Sequence, residues 1–284
     1  MRRPDRSLDR RRDWVPLALV LALFAPVASA NEAVPDTEVW QALRTSLFGS
    51  RPIELNAEGI IGLEAPYRAQ DAATVPVAIR TGMQQTADRH IRTLYLFVDR
   101  NPSPIAAIFR FAPDNGRADI ETRIRIEEYT PVRAVAELND GSLYLAQRFV
   151  KAAGGCSAPA GKDPLAALAR LGRMKFHLDQ PVVFGEPTLA QLMISHPNHS
   201  GLAMDQLSRH FVPAYFVRRV AVTYAGQPVM SAEVDFSISE NPNFRFYFVP
   251  REAGDLRAEV VDTRDLTFES SLSVQSGLVT KSKD

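Results

Sequence analysis

The strongest constraint on this chain is a succession of short segments rich in β-branched and aromatic residues, separated by turn residues. Ile91–Val98 (IRTLYLFV), Ile105–Phe111, Ile120–Glu127, Val132–Leu138 and Leu143–Val150 follow one another closely. Asp99-Arg100-Asn101-Pro102, Pro113-Asp114-Asn115-Gly116 and Asn139-Asp140-Gly141 fall between them. Such residues supply the tight-turn positions that chain reversal needs. Links this short join antiparallel neighbours, because parallel strands need a crossover of a dozen residues or more. Ile120, Thr122, Ile124 and Ile126 alternate with Glu121, Arg123, Arg125 and Glu127. That predicts a half-buried strand with a polar outer face. The expectation for this half is an antiparallel β-sandwich.

A second series follows: Leu189–Ser195, Tyr215–Tyr224, Val229–Ile238, Asn243–Phe248, Leu256–Val261 and Leu266–Val274, with a turn at Ala225-Gly226-Gln227. It predicts a second sandwich. Asn101-Pro102 precedes Phe109-Arg110-Phe111, and Asn241-Pro242 precedes Phe244-Arg245-Phe246. This faint repetition fits two related sandwiches. Helices are expected only at the margins. Val39, Trp40, Leu43 and Leu47 fall at near-helical spacing. Asp163-Pro164-Leu165 offers a cap and a first-turn proline, Leu165, Leu168 and Leu171 share a face, and Gly172 closes the turn. Residues 175–187 read as a linker.

The N-terminus differs in kind. Arg2, Arg3, Arg6, Arg10, Arg11 and Arg12 precede the apolar run Trp14–Val27, and the small-residue site Ala28-Ser29-Ala30 ends it. This order is that of a cleaved export signal over residues 1–30. The apolar run is too short for the roughly 20 residues of a membrane-spanning helix. Arg11-Arg12 is a weak twin-arginine match. The expectation is a periplasmic protein starting near Asn31, without membrane insertion. The formal net charge is zero, which gives no basic face for nucleic acid.

Export sharpens the meaning of Cys156, the one cysteine in the sequence. It cannot form an internal disulfide, so it is buried and inert, paired with another chain, or a working thiol. Its setting is Lys151-Ala152-Ala153-Gly154-Gly155-Cys156-Ser157-Ala158-Pro159-Ala160-Gly161. Glycine pairs and small residues favour a mobile loop, so a solvent-accessible functional thiol is expected. The neighbouring lysines, Lys151 and Lys162, do not suggest a strongly lowered thiol pKa. Other chemistry is sparse, for there is no phosphate-binding glycine loop, no nucleophile elbow and no H-E-x-x-H motif. His196, His199 and His210 sit in loop composition and read as structural or surface histidines rather than a metal site.

Several stretches together resemble the SoxYZ family of the periplasmic thiosulfate-oxidising complex. Val75-Pro76-Val77, Val98–Pro104, Thr122-Arg123-Ile124-Arg125, Asp140–Tyr144 and Gly154-Gly155-Cys156 are similar to SoxY. His196-Pro197, Ser200-Gly201, Val217, Val220, Ile238–Pro242 and Gly254-Asp255-Leu256 are similar to SoxZ. The resemblance implies an all-β protein of two immunoglobulin-like sandwiches docked together: a SoxY-like domain over 31–156, a connector over 157–185 and a SoxZ-like domain over 186–284. It implies no cofactor and no catalysis by the chain itself. Cys156 would be the covalent attachment point for a sulfur-containing small molecule, carried on an arm made flexible by Gly154, Gly155 and Ser157. Its partners would be periplasmic redox enzymes, a c-type cytochrome or a quinoprotein dehydrogenase system. The alternative is a binding module of such a system, with Cys156 only a redox-sensing or dimerising thiol. In the family the motif is Gly-Gly-Cys-Gly-Gly at a chain end. Here Ser157-Ala158 replaces the second pair and the chain continues, so the arm is tethered at both ends. Its expected reach is roughly 15–20 Å. Fused forms of this kind resemble the group associated with quinoprotein alcohol dehydrogenases.

Overall fold

The computed structural model describes residues 34–55, 59–159, 164–179, 181–205 and 208–279. The expected export signal at 1–30 and the cap at Asp163 lie outside them. The elements of the first half are α1 (Glu38–Phe48), β1 (Ile53–Leu55), β2 (Gly62–Glu64), β3 (Val75–Arg80), β4 (Ile91–Val98), β5 (Ile105–Phe111), β6 (Ile120–Ile124), β7 (Thr130–Leu138) and β8 (Leu143–Val150). Then come α2 (Pro164–Ala169) and β9 (Met174–Leu178). The second half holds β10 (Thr188–Ile194), β11 (Val217–Tyr224), β12 (Gln227–Val234), β13 (Asn243–Phe248), β14 (Gly254–Asp262), β15 (Thr267–Gln275) and β16 (Leu278–Val279). Among the described residues the fold is all-β apart from two short helices, as the strand and turn pattern requires.

The strands form two sheets, each shared by both halves. The ten-stranded sheet runs β1-β8-β7-β4-β5-β12-β11-β14-β15-β16, and the six-stranded sheet runs β2-β3-β6-β13-β10-β9. The halves are therefore joined edge to edge twice. β5 pairs with β12 from Ala107↔Val234 to Phe111↔Met230, and β6 pairs with β13 at Glu121↔Arg245 and Ile120↔Phe246. Pairing these edges consumes backbone groups that two separate sandwiches would leave open to aggregation. Phe109 on β5 meets Phe244 on β13 with ring centroids 6.0 Å apart, and Tyr224 on β11 meets Phe248 at 5.1 Å. The sheets thus face each other across one continuous core that draws on both halves.

Two sequence expectations need correction. Residues 175–187 are not simply a linker, because Met174–Leu178 is a strand that pairs antiparallel with β10. Its alternation of buried Met174, Phe176 and Leu178 with exposed Lys175 and His177 is a period-2 pattern. The second correction concerns Ile120–Glu127. The strand ends at Ile124, and Arg125 turns inward to become 8% exposed instead of joining the polar outer face. Arg125 N–H donates to Ser237 O at 2.7 Å, and its Nη1 donates to Phe236 O and Ile238 O at 2.9 and 2.8 Å. Those carbonyls belong to the other half, so the charge was recruited inward by acceptors more than a hundred residues away.

Strand β7 is buried along its whole length. Its inner face (Val132, Ala134, Ala136, Leu138) joins the central core, and its outer face is covered by α1. Thr37 caps α1 by accepting from Trp40 N at 3.0 Å. Trp40 and Phe48 then pack on Phe97, Val135, Leu143 and Leu145. Arg133, fully buried under Trp40, donates from Nε to Asp99 Oδ2 at 3.0 Å. Thr37 Oγ1 donates to the same carboxylate at 2.8 Å, tying the helix start to the pair.

Candidate functional site

Cys156 is 1% exposed and unpaired. This overturns the expectation of a solvent-accessible thiol. The reason is backbone chemistry rather than side-chain packing. Past Val150 the chain does not leave the sandwich. Lys151 N donates to Tyr67 O at 2.8 Å, and the segment then turns back over the end of β6. Gly154 N donates to Glu127 O and Gly155 N to Ile126 O, both at 2.8 Å. Glycine is what permits this close approach. Gly154 has φ +81°, and a Cβ on Gly155 would lie 2.0 Å from Ala72 O and 2.8 Å from Ile126 O. The pair that promised mobility instead lets the arm lie flat on the body.

A carboxylate completes the clasp. Glu127 Oε2 accepts from Cys156 N at 2.8 Å and from Ser157 N at 3.1 Å, and Oε1 accepts from Ser157 Oγ at 2.8 Å. Hydrogen bonds to an ionised acceptor are stronger than neutral ones. From the second half, Ser200 Oγ donates to Cys156 O. The cysteine therefore sits in the seam between the halves. Ala72, Ile126 and Glu127 lie on one side, and Ser200 on the other. Of the arm residues singled out in the sequence, Gly154, Gly155 and Cys156 are docked, while Ser157 is exposed but held by Glu127.

The electrostatics keep the docked thiol protonated. Burial is the main cause that pushes its pKa up to about 12, the Glu127 carboxylate adds to the rise, Arg125 opposes it, and Asp235 raises it further. A thiol in this state is a poor nucleophile, because the thiolate is the reactive form. Arg125 pays in turn: burial lowers its own pKa, while Cys156 and Glu240 favour its charge.

The loop carrying Ser200 is fixed by a buried polar cluster. His196 Nδ1 accepts from Asn198 N at 3.0 Å, so the ring proton of the neutral form sits on Nε2, 3.6 Å from Asp262 Oδ2. Both side chains are fully buried. Burial pulls the His196 pKa down to about 4, against the opposing pull of Asp262. Tyr215 packs on the imidazole at 4.6 Å, and burial with Asp262 pushes its pKa up to about 12. Asn198, at φ 45°, donates from Nδ2 to Ile238 O and accepts from Val217 N. His196 is thus structural, whereas His199 is half-buried and His210 exposed. Burial and then Arg125 lower the His199 pKa. Among the described residues no group of three or more His, Cys, Asp or Glu could hold a metal. None of the described helices is long and apolar enough to cross a membrane.

Sequence reasoning did not place Arg125, Glu127 or Ser200 at the site, and Arg125 and Ser200 figured in it within stretches resembling SoxY and SoxZ. Glu127 was read as one position of an alternating strand, and nothing local connects it to a cysteine 29 residues on. For Glu127 the usable signal was the acidic pair Glu127-Glu128 at the end of an apolar alternation, where a carboxylate can cap exposed amides.

The model of the sulfur oxidation protein SoxY matches residues 44–156, ending on Cys156, and that of SoxZ matches 176–273. No curated protein matches the chain. Among solved structures, the sulfur carrier protein SoxY from Chlorobium limicola f thiosulfatophilum is 27% identical, covering 40% of this chain and 94% of that one, with TM-score 0.33. A superoxide reductase (neelaredoxin) from Ignicoccus hospitalis is 17% identical over 35% of this chain and 94% of its own, with TM-score 0.31. Fibronectin(III)-like modules of Clostridium thermocellum CbhA are 10% identical over 75% and 93%, with TM-score 0.22. These structural likenesses are too loose to carry an argument, whereas the two family matches are adjacent, in order and span most of the chain. The chain belongs to the SoxY–SoxZ family of sulfur oxidation proteins, with a SoxY domain and a SoxZ domain fused in one polypeptide.

Proposed function

We propose that this protein is a periplasmic carrier that holds a sulfur-containing group covalently on Cys156 and presents it to redox enzymes, without catalysing the chemistry itself. The observation that carries the reading is position. The one thiol of the chain stands at the last residue of the SoxY match, on a segment that connects two elements and belongs to neither sheet. The membership of both halves in sulfur oxidation families points the same way. Loading joins two sulfurs: Cys156–S⁻ and ⁻S–R become Cys156–S–S–R and release two electrons. A redox partner, a c-type cytochrome or quinoprotein system, takes them. The docked state protects the thiol from stray oxidation, since a buried protonated sulfur reacts slowly. Delivery requires the arm to leave the Glu127 clasp.

One observation favours a second reading. A thiol 1% exposed is also what an inert or occasionally redox-sensing cysteine looks like, in a module that only binds a dehydrogenase system. Intact-mass analysis of the protein taken from its own host separates the two. A reductant-labile, sulfur-containing adduct on the Cys156 peptide is expected. A bare thiol under all growth conditions, together with a Cys156→Ser strain lacking any phenotype, leaves the binding module. N-terminal sequencing of the exported form, expected to begin near Asn31, tests the location.

A further inference from the structure

Leu202, Met204 and Phe211 are 36%, 38% and 61% exposed, and they belong to one hairpin of the SoxZ domain. The hairpin is closed by Val212 N to Ala203 O at 2.8 Å, Asp205 N to His210 O at 2.9 Å and a bridge between Met204 and Phe211. Ala203 points in and is 5% exposed. Strand alternation therefore holds the three large side chains outward. Methionine and aromatic residues grouped on a surface mark the centre of a protein interface rather than its rim.

The hairpin is connected to the thiol. Ser200 Oγ donates to the Cys156 carbonyl and accepts from Leu202 N at 3.1 Å. A single hydroxyl thus joins the apolar surface to the arm. On the other flank, Tyr129 is 47% exposed two residues beyond Glu127. We infer that Leu202, Met204 and Phe211 form the docking face for the enzyme that takes up Cys156, and that its occupant is a protein presenting an uncharged, apolar collar around the opening that receives the thiol. This rests on the carrier reading.

The arm's geometry argues for that occupant. The arm is anchored at Lys151, and beyond α2 the chain is held again by Gly172 N donating to Ser195 O at 2.9 Å. Five residues from Lys151 to Cys156 span at most about 16–18 Å. A doubly tethered thiol with that reach can enter a cleft only if the cleft's rim rests against this end of the sandwich. The charges at the hairpin tip, Asp205 and Arg209, are both exposed and of opposite sign. They give no net field, so the contact is apolar and depends little on salt. Settling of the collar on Leu202 would displace the amide that Ser200 accepts from, and so loosen its grip on the Cys156 carbonyl.

The test uses the full-length double variant Leu202→Ser/Phe211→Ser in the native host, beside wild type. Two quantities are read: the fraction of Cys156 carrying a reductant-labile adduct by intact mass, and the rate at which the purified reduced protein reacts with a small maleimide. The expected result is an adduct fraction at least tenfold lower with a maleimide rate within about threefold of wild type. Loading equal to wild type overturns the docking face and leaves the carrier reading standing. A bare thiol in wild type overturns the carrier reading, and the docking face with it. Wild-type dimers in sedimentation that the variant dissolves would reassign the face to self-association. Flotation with phosphatidylcholine–phosphatidylglycerol vesicles that the variant loses would reassign it to lipid. Either result overturns the proposal.

Discussion

Removing the Glu127 carboxylate should release the arm while leaving the sandwich folded. The carboxylate accepts three hydrogen bonds from the arm, one part-buried to Cys156 N and two exposed to Ser157. A charged hydrogen bond shielded from water contributes about 1.5–3 kcal/mol, and exposed ones well under 1 kcal/mol each. Glu127→Ala should therefore shift the docked–undocked equilibrium by about 2–3 kcal/mol, a factor of about 30–150. The readout is the rate of alkylation by iodoacetamide at pH 7.5, with urea midpoints measured in parallel. With its pKa pushed up from 9.0 to about 12, the docked thiol holds about a thousandfold less thiolate than an exposed cysteine. Labelling then passes through the open state, and its rate reports the opening equilibrium. Glu127→Gln keeps an acceptor oxygen and loses the charge, so its rate should fall between wild type and Glu127→Ala. Two results would refute the reasoning. One is a Glu127→Ala rate within twofold of wild type. The other is wild-type labelling as fast as that of the urea-unfolded chain, which would mean that the clasp does not hold the arm.

Gly155→Ala should undock the arm by collision, because its Cβ would meet backbone atoms of Ala72 that cannot move aside; maleimide labelling should rise at least tenfold with the urea midpoint nearly unchanged, and an unchanged rate counts against the docked geometry. Asp99→Ala should strip the buried Arg133 of its one buried carboxylate partner, leaving the exposed Asp36, Gln147 and the Pro35 carbonyl, and cost about 3 kcal/mol in urea unfolding, whereas a loss under 1 kcal/mol would show that the pair is not buried in solution. His196 makes stability depend on acid: the unfolded chain takes up a proton near pH 6.5 and the folded chain only near pH 4, so stability is full above pH 6.5 and falls by up to about 3 kcal/mol as pH drops through that window. His196→Gln should show a flatter acid limb, and identical limbs in denaturant titrations at pH 7, 5.5 and 4.5 would refute the buried neutral imidazole.

Much of the fold was legible because β-structure writes itself locally. The alternation along Asn243–Phe248 and the β-branched run at Ile91–Val98 each need only a period-2 pattern and a turn residue to be read. The linker at 175–187 misled because five residues of alternation at Met174–Leu178 are too few to stand out beside the glycine and proline of Gly185–Pro187. The family resemblance was legible for a different reason: short motifs in a fixed order survive even where each is weak.

The sequence by itself determined that the chain is all-β in two halves, that a single thiol stands between them, and that glycines flank it on one side. The tertiary structure decided what those glycines do. A missing Cβ is compatible with a loose loop or with a backbone pressed against another backbone, and the choice depends on what lies opposite. Ala72, Ile126, Glu127 and Ser200 lie opposite here, brought from positions far along the chain by the two shared sheets. The same holds for Arg125, whose polar pattern promised solvent until the carbonyls of Phe236 and Ile238 arrived across the seam. Hydrogen-bond partners are set by proximity in space, and proximity between residues so distant in sequence exists only once the sheets have paired.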